Sequence, residues 1–157
     1  MEPQYYQVDI SWSEARKGVM CSPELENGAN YIEVATPPDF PKGMPDIWSP
    51  EHLYTAAVNS CLMTTFLAVA ENSRLEFARF SCKSKGKLEQ VEGKFLMTEI
   101  TLEPRVTIYH EKDRDHTERV LQKSERACLI SNSIKTQVTM ISNIEVLETA
   151  EVTDVLK

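Results

Sequence analysis

Four cysteines, Cys21, Cys61, Cys82 and Cys128, carry the most reactive side chains in the chain. They lie far apart, with no Cys-x-x-Cys pair. Structural zinc sites draw their ligands from close pairs, so no metal centre is expected. Cys61 stands near the middle of the stretch SPEHLYTAAVNSCLMTTFLAVAENS, Ser49 to Ser73, among the small residues Thr55, Ala56, Ala57, Asn59 and Ser60. Taken alone, a cysteine there reads as a small buried hydrophobe, the commonest fate of a free thiol. For it to act as a nucleophile it must ionise near neutral pH, which requires a nearby cation.

The elements that would position these groups follow from period and punctuation. Gln4 to Ser13 alternates and carries Tyr, Val, Ile and Trp, the composition of a strand. Lys17 to Ser22 and Tyr31 to Ala35 read as two more strands, with Asn27-Gly28 between them as a hairpin signal. Thr36 to Pro50 holds five prolines and one glycine and reads as a rigid surface crossing. Ser49 is a suitable N-cap, Pro50 suits a first helical turn, and Glu51 is favourable at the positive end of the helix dipole. That helix is expected to run to about Asn72.

Two long strands, Phe77 to Gln90 and Lys94 to Tyr109, should then flank a Glu92-Gly93 turn. Asp115 to Ala127 has helical period, Cys128 begins a second short segment, and Gln137 to Glu148 reads as one closing strand. The expectation is an α+β fold in a single domain over residues 1–157, with a hydrophobic helix packed on an antiparallel sheet. On helical spacing Cys61 shares a face with Leu53, Tyr54, Ala57, Val58, Thr64, Thr65 and Ala68.

Bulk composition excludes several functions. A net charge of −7 and an isoelectric point near 5.0 argue against nucleic acid and anionic membranes as partners. The first twenty residues lack the basic start and apolar run of a signal peptide, and no apolar run is expected to approach the length a membrane span needs. A cytoplasmic location is expected, where structural disulfides are rare. No phosphate-cradling glycine loop is present, and no cofactor is expected: no metal, flavin, haem or nucleotide.

Three separated segments carry a resemblance to the OsmC/Ohr family of thiol-dependent hydroperoxide reductases. SPEHLYTAAVNSCL, Ser49 to Leu62, resembles the family's Pro-Glu-x-Leu opening with the reactive cysteine ten residues after the Glu. ACLISNSI, Ala127 to Ile134, resembles its second cysteine motif. Upstream, ARKG at Ala15 to Gly18 resembles an Arg-x-Gly at the end of the first strand, and VATPPDF the Ala-Thr-Pro stretch before the helix. Two departures stand out: Leu129 follows Cys128 where many relatives carry proline, and Val58-Asn59 occupy positions where a glycine is common.

The resemblance implies a homodimer in which two chains wrap around a pair of central helices. It makes Cys61 the thiol that reduces a hydroperoxide and Cys128 the thiol that closes a disulfide with it. Arg16 would hold the thiolate, Glu51 would orient the Arg, and an external dithiol would complete the cycle. The chemistry suits these residue types. A guanidinium steadies the charge building on the departing oxygen, and a second thiol shields the sulfenic acid from further oxidation. Glu51 and Cys61 are ten positions apart, roughly 15 Å on a straight helix. If both serve one site, Arg16 and Glu51 come from the partner chain, across helices that meet at Ala56, Ala57 and Ser60.

Organic substrates are favoured if Leu53, Leu62, Phe66 and the aromatic loop floor the site. Without the resemblance, Glu51 reads as a helix-start residue, Arg16 as a solvated turn residue and Cys128 as a packed thiol. Cys21 and Cys82 match no motif and are taken as structural or incidental, and His52, His110 and His116 as surface residues. Two other functions fit the same scaffold: a non-catalytic relative that binds an apolar ligand or senses redox state, and a thioester hydrolase. The latter would need a carboxylate at the site, for which only Glu51 and Glu71 offer themselves.

Overall fold

A computed structural model describes residues 1–25 and 30–148. The Asn27-Gly28 hairpin signal lies outside the described residues. Among the latter the chain forms two compact units, Met1–Leu53 and Tyr54 onward.

The first unit is a three-stranded antiparallel sheet, β1 (Asp9–Glu14), β2 (Lys17–Cys21) and β3 (Ile32–Ala35), in that order. The strand expected from Gln4 starts later because β2 ends at Cys21, the partner of Asp9, which leaves the earlier residues nothing to pair with. All of β1 is solvent-exposed, Ile10 and Trp12 included. The proline-rich crossing is tied down through its backbone. Thr36 N–H donates to Arg16 O at 3.1 Å, Met44 N–H to Thr36 O at 2.9 Å, and Ala35 N–H to Trp48 O at 2.9 Å. Gly43 packs so closely on the Pro37 carbonyl that a Cβ there would overlap it.

The helix predicted from Pro50 to about Asn72 is α1 (Pro50–Asn72). Ser49 and His52 form a reciprocal cap at its start: His52 N–H donates to Ser49 Oγ at 3.3 Å, and Ser49 N–H donates to His52 Nδ1 at 3.2 Å. This is the capping-box pattern with imidazole in place of the usual Glu or Gln. By length and apolar content α1 could cross a bilayer, against the expectation from sequence, but a core helix meets the same test. Its buried stripe, Val58, Cys61, Leu62, Phe66 and Ala70, recurs every three or four residues, the period of one helix face.

The second unit centres on the long hairpin β4 (Arg79–Val91) and β5 (Lys94–Ile108). Its turn has positive φ at both Glu92 (49°) and Gly93 (80°), the conformation whose twist matches flanking strands. Alternate β5 residues Ile100, Leu102, Pro104, Val106 and Ile108 are buried, as period two requires. Ile100 and Leu102 pack with Val58 and Leu62 in one cluster, and Val106 and Ile108 with Phe66 and Ala70 in another. The second cluster is completed by Val120 and Leu121 from α2 (Arg114–Ala127), which follows a 3₁₀ turn at Glu111–Asp113. Gly86 lets α1 approach the sheet: a side chain there would strike Thr55 and the end of Met97.

After α2 comes the short helix α3 (Leu129–Asn132), which begins at Cys128 as the sequence suggests. The expected strand Gln137 to Glu148 is instead two, β6 (Gln137–Met140) and β7 (Asn143–Val146). Both run parallel to β5, pairing with Glu99–Leu102 and Arg105–Ile108 respectively. The break at Ile141-Ser142 falls opposite Glu103-Pro104, where proline has no N–H to give a ladder. The wholly antiparallel sheet expected from sequence is therefore corrected. β6 and β7 return through a helical crossover, the connection that parallel pairing needs.

Candidate functional site

Two sulfurs meet at the junction of α1 and α3. Cys61 is on the buried stripe of α1 and is 9% exposed, and Cys128, at the N-cap of α3, is 1% exposed. Both are free thiols. Burial pushes the Cys61 thiol up, as it does any group that must lose hydration to ionise. Four donors outweigh it: the Cys128 thiol, the Ile130 N–H, the Thr65 hydroxyl and the Leu129 N–H. The pKa of Cys61 is lowered as a result. Thr65 Oγ1 is 4.0 Å from the Cys61 sulfur, one turn along the same helix.

Cys128 behaves in the opposite sense. Burial pushes it up, its Cys61 neighbour adds to that, and the hydroxyl and N–H of Ser131 pull the other way without cancelling the rise. When the pair loses one proton, the negative charge settles on Cys61, and Cys128 stays protonated beside it as a donor. Leu129 and Ile130 are the first residues of a helix, whose amides have no intrahelical partner and are free to serve a thiolate.

The other expected residues are placed as follows. Arg16 and Glu51 belong to the unit Met1–Leu53, and the thiol pair to the second unit. Arg16 is exposed at the turn between β1 and β2 and, among the described residues, makes no side-chain ion pair. It borders a largely apolar groove of about 460 Å³ whose lining includes Ile10, Trp12, Val34, Thr36 and Pro50. Glu51 is the second residue of α1 and partly buried. His52 is engaged in the helix cap, with Ser49 Oγ 2.8 Å from its Nδ1.

The apolar floor expected under the site needs correction. Leu62 and Phe66 are 0% exposed and lie within the core, because they fall on the stripe that faces β5. They cannot meet a substrate. The Tyr54 hydroxyl is 2.6 Å from Thr136 Oγ1. Cys82 is half-buried on β4, and burial, with the Glu103 carboxylate adding to it, raises its thiol to about 11. That thiol is inert near neutral pH, as expected for a structural cysteine. The sequence reading carried Ser131 only as part of the motif that Cys128 opens and gave it no role, and it missed the amides of Leu129 and Ile130. A Cys-x-x-Ser run at a helix start is the one signal that could have pointed to them.

A buried thiol pair with one sulfur favoured as thiolate, held between a long helix and the entry of a short one, defines a class of α+β thiol proteins. Residues 43–143 match the family model for OsmC-like protein, and the chain belongs to that family. It is 23% identical over 141 residues to the uncharacterised protein YmaD of Bacillus subtilis, covering 88% of this chain and 91% of that one. Among solved structures, an OsmC-like protein of unknown function from Vibrio cholerae superposes with a TM-score of 0.77 at 20% identity, over 89% of this chain and 99% of the other. The organic hydroperoxide resistance protein OsmC of Legionella pneumophila gives 0.71 at 19% identity, over 93% and 100%. OhrB of Bacillus subtilis, also an organic hydroperoxide resistance protein, gives 0.64 at 18%, over 92% and 98%. At these identities the structural likenesses establish the OsmC-like fold.

Proposed function

We propose that the protein is a thiol peroxidase that reduces organic hydroperoxides in the cytoplasm. The observation that carries this reading is the Cys61–Cys128 pair, in which the surroundings favour the thiolate on the first sulfur and keep the second protonated and adjacent. The hydroperoxide resistance proteins among its structural relatives support the same substrate class. The Cys61 thiolate attacks the outer oxygen of ROOH, the O–O bond breaks, and the alkoxide leaves with a proton as ROH. Cys61 becomes a sulfenic acid. The Cys128 sulfur then attacks it, an S–S bond replaces the S–O bond, and water departs with the Cys128 proton. An external dithiol reduces the disulfide, itself becoming oxidised.

The active form is proposed to be a homodimer in which Arg16 and Glu51 of one chain complete the site of the other. Ser60, Met63, Thr64 and Leu67 form an exposed face of α1, and Ile10 and Trp12 stand exposed on β1. Such unburied apolar side chains suit contact with a second copy. A mixed dimer of Cys61→Ser and Arg16→Ala chains should regain up to half the sites if the residues act in trans.

The deciding experiment is mass spectrometry of the reduced protein after one equivalent of cumene hydroperoxide. A loss of two hydrogens mapped to Cys61–Cys128, reversed by a dithiol and abolished in Cys61→Ser, is expected. Sulfonic acid on Cys61 with Cys128 still free would refute the mechanism.

A further inference from the structure

Ser131 occupies a position that the reaction as described does not use. Its hydroxyl oxygen is closed to solvent and makes no hydrogen bond in the resting thiol state. A buried hydroxyl without a partner is costly, and such groups in native proteins call for an explanation. Its placement supplies one. Ser131 lies three residues after Cys128, the spacing by which the third residue of a helix faces its N-cap. From there its O–H and its N–H both favour the Cys128 thiolate, although in this geometry the O–H is not yet hydrogen-bonded to the sulfur.

The three successive amides of α3 are thus divided: those of Leu129 and Ile130 serve Cys61, and that of Ser131 serves Cys128. We propose that Ser131 is the positioning residue of the second thiol, its hydroxyl closing onto the Cys128 sulfur as that sulfur attacks oxidised Cys61. This rests on the peroxidase reading for its purpose, though not for its test.

The need is physical. Before oxidation, charge belongs on Cys61, and a neutral Cys128 helps to keep it there. After Cys61 has become a neutral sulfenic acid, the nucleophile must be Cys128, which is buried and whose thiol burial holds above its ordinary pKa. In the resolving step the Cys128 S–H bond breaks, the Cys61 S–O bond breaks, the S–S bond forms, and hydroxide takes the Cys128 proton to leave as water. Charge on the Cys128 sulfur is transient, so a donor unpaired at rest and paired only then accelerates the step. Thr65 stands in the corresponding place for Cys61.

The test uses the full chain in two arms. In a Cys61→Ser background, alkylation of Cys128 by iodoacetamide is followed against pH by mass spectrometry, with and without Ser131→Ala. Ser131→Ala should move the profile to higher pH and slow alkylation at pH 7 about tenfold, the size of one hydrogen bond to a charged group. Ser131→Thr, which restores a hydroxyl, should recover most of it. In the otherwise intact chain, Ser131→Ala should raise sulfinic acid at Cys61 several-fold relative to the disulfide. Coincident alkylation profiles with and without the hydroxyl would overturn the proposal. So would a loss in Ser131→Ala that Ser131→Thr does not repair, which would mark a packing role. If the parent chain formed no disulfide with peroxide, the peroxidase reading would fail while the alkylation arm still decided Ser131.

Discussion

Leu129→Pro isolates one backbone donor at the site. Proline cannot supply the N–H that Leu129 directs at the Cys61 sulfur. The rest of the position tolerates it. Leu129 opens α3, where proline is favoured; Cys128 before it is extended, with φ −65° and ψ 107°, and the leucine side chain is 65% exposed. A hydrogen bond to a charged group is worth about 1.5–3 kcal/mol. Leu129 is the least of the four donors that favour the Cys61 thiolate, so we assign it less than that, the worth of an ordinary hydrogen bond of about 1 kcal/mol, or about 0.7 pKa unit. The Cys61 midpoint should rise by that amount, and iodoacetamide should label Cys61 about fivefold more slowly at pH values below it. The measurement is the rate of Cys61 alkylation across pH 5 to 9, read by mass spectrometry. Leu129→Ala, which removes the same side chain but keeps the N–H, should match the parent chain. Equal midpoints for Leu129→Pro and Leu129→Ala would refute the assignment of backbone amides as thiolate donors.

Three other perturbations test the frame around the site. Ser49→Ala removes an oxygen that caps α1 and should cost about 1 kcal/mol in urea unfolding, with little change in Cys61 alkylation at saturating stability. Gly86→Val would drive two methyls toward Thr55 and Met97 and should cost about 1–3 kcal/mol as a lower melting temperature, where Gly93→Asn at the turn should cost less. Cys82, whose neutral form the fold prefers, stabilises the fold fully below its unfolded pKa of about 8.5, and that stability is lost as pH rises toward about 11. Cys82→Ser should therefore lose less stability than the parent between pH 8 and 10.5, and Cys82 should be the slower of the two thiols to alkylate when compared with Cys61 at pH 8.

Local signals carried most of the architecture. Ser49-Pro50-Glu51 marks the start of α1 because caps and first-turn preferences act over four residues, and Glu92-Gly93 marks the hairpin because its backbone demands positive φ. The division of the last strand was missed although its cause is visible: Pro104 sits on the neighbouring strand, and strand period says nothing about which strand lies opposite. Strand direction escaped for the same reason, since alternation is identical in parallel and antiparallel ladders. Cys61 and Cys128 were singled out through motif resemblance, not through any property of their 67-residue separation (128 minus 61). The amides of Leu129 and Ile130 have no residue-type signature at all. Leu62 and Phe66 were assigned to a substrate floor because an apolar helix has no marked outside until the sheet chooses one.

Because Cys128 is carried on the crossover between β5 and β6, the ribosome delivers the two halves of this redox pair at different times. At about 5–20 residues per second, Cys61 precedes Cys128 by roughly 3–13 s (67 residues). Throughout that interval a growing chain holds Cys61 without the first of the donors that lower its pKa, the Cys128 thiol.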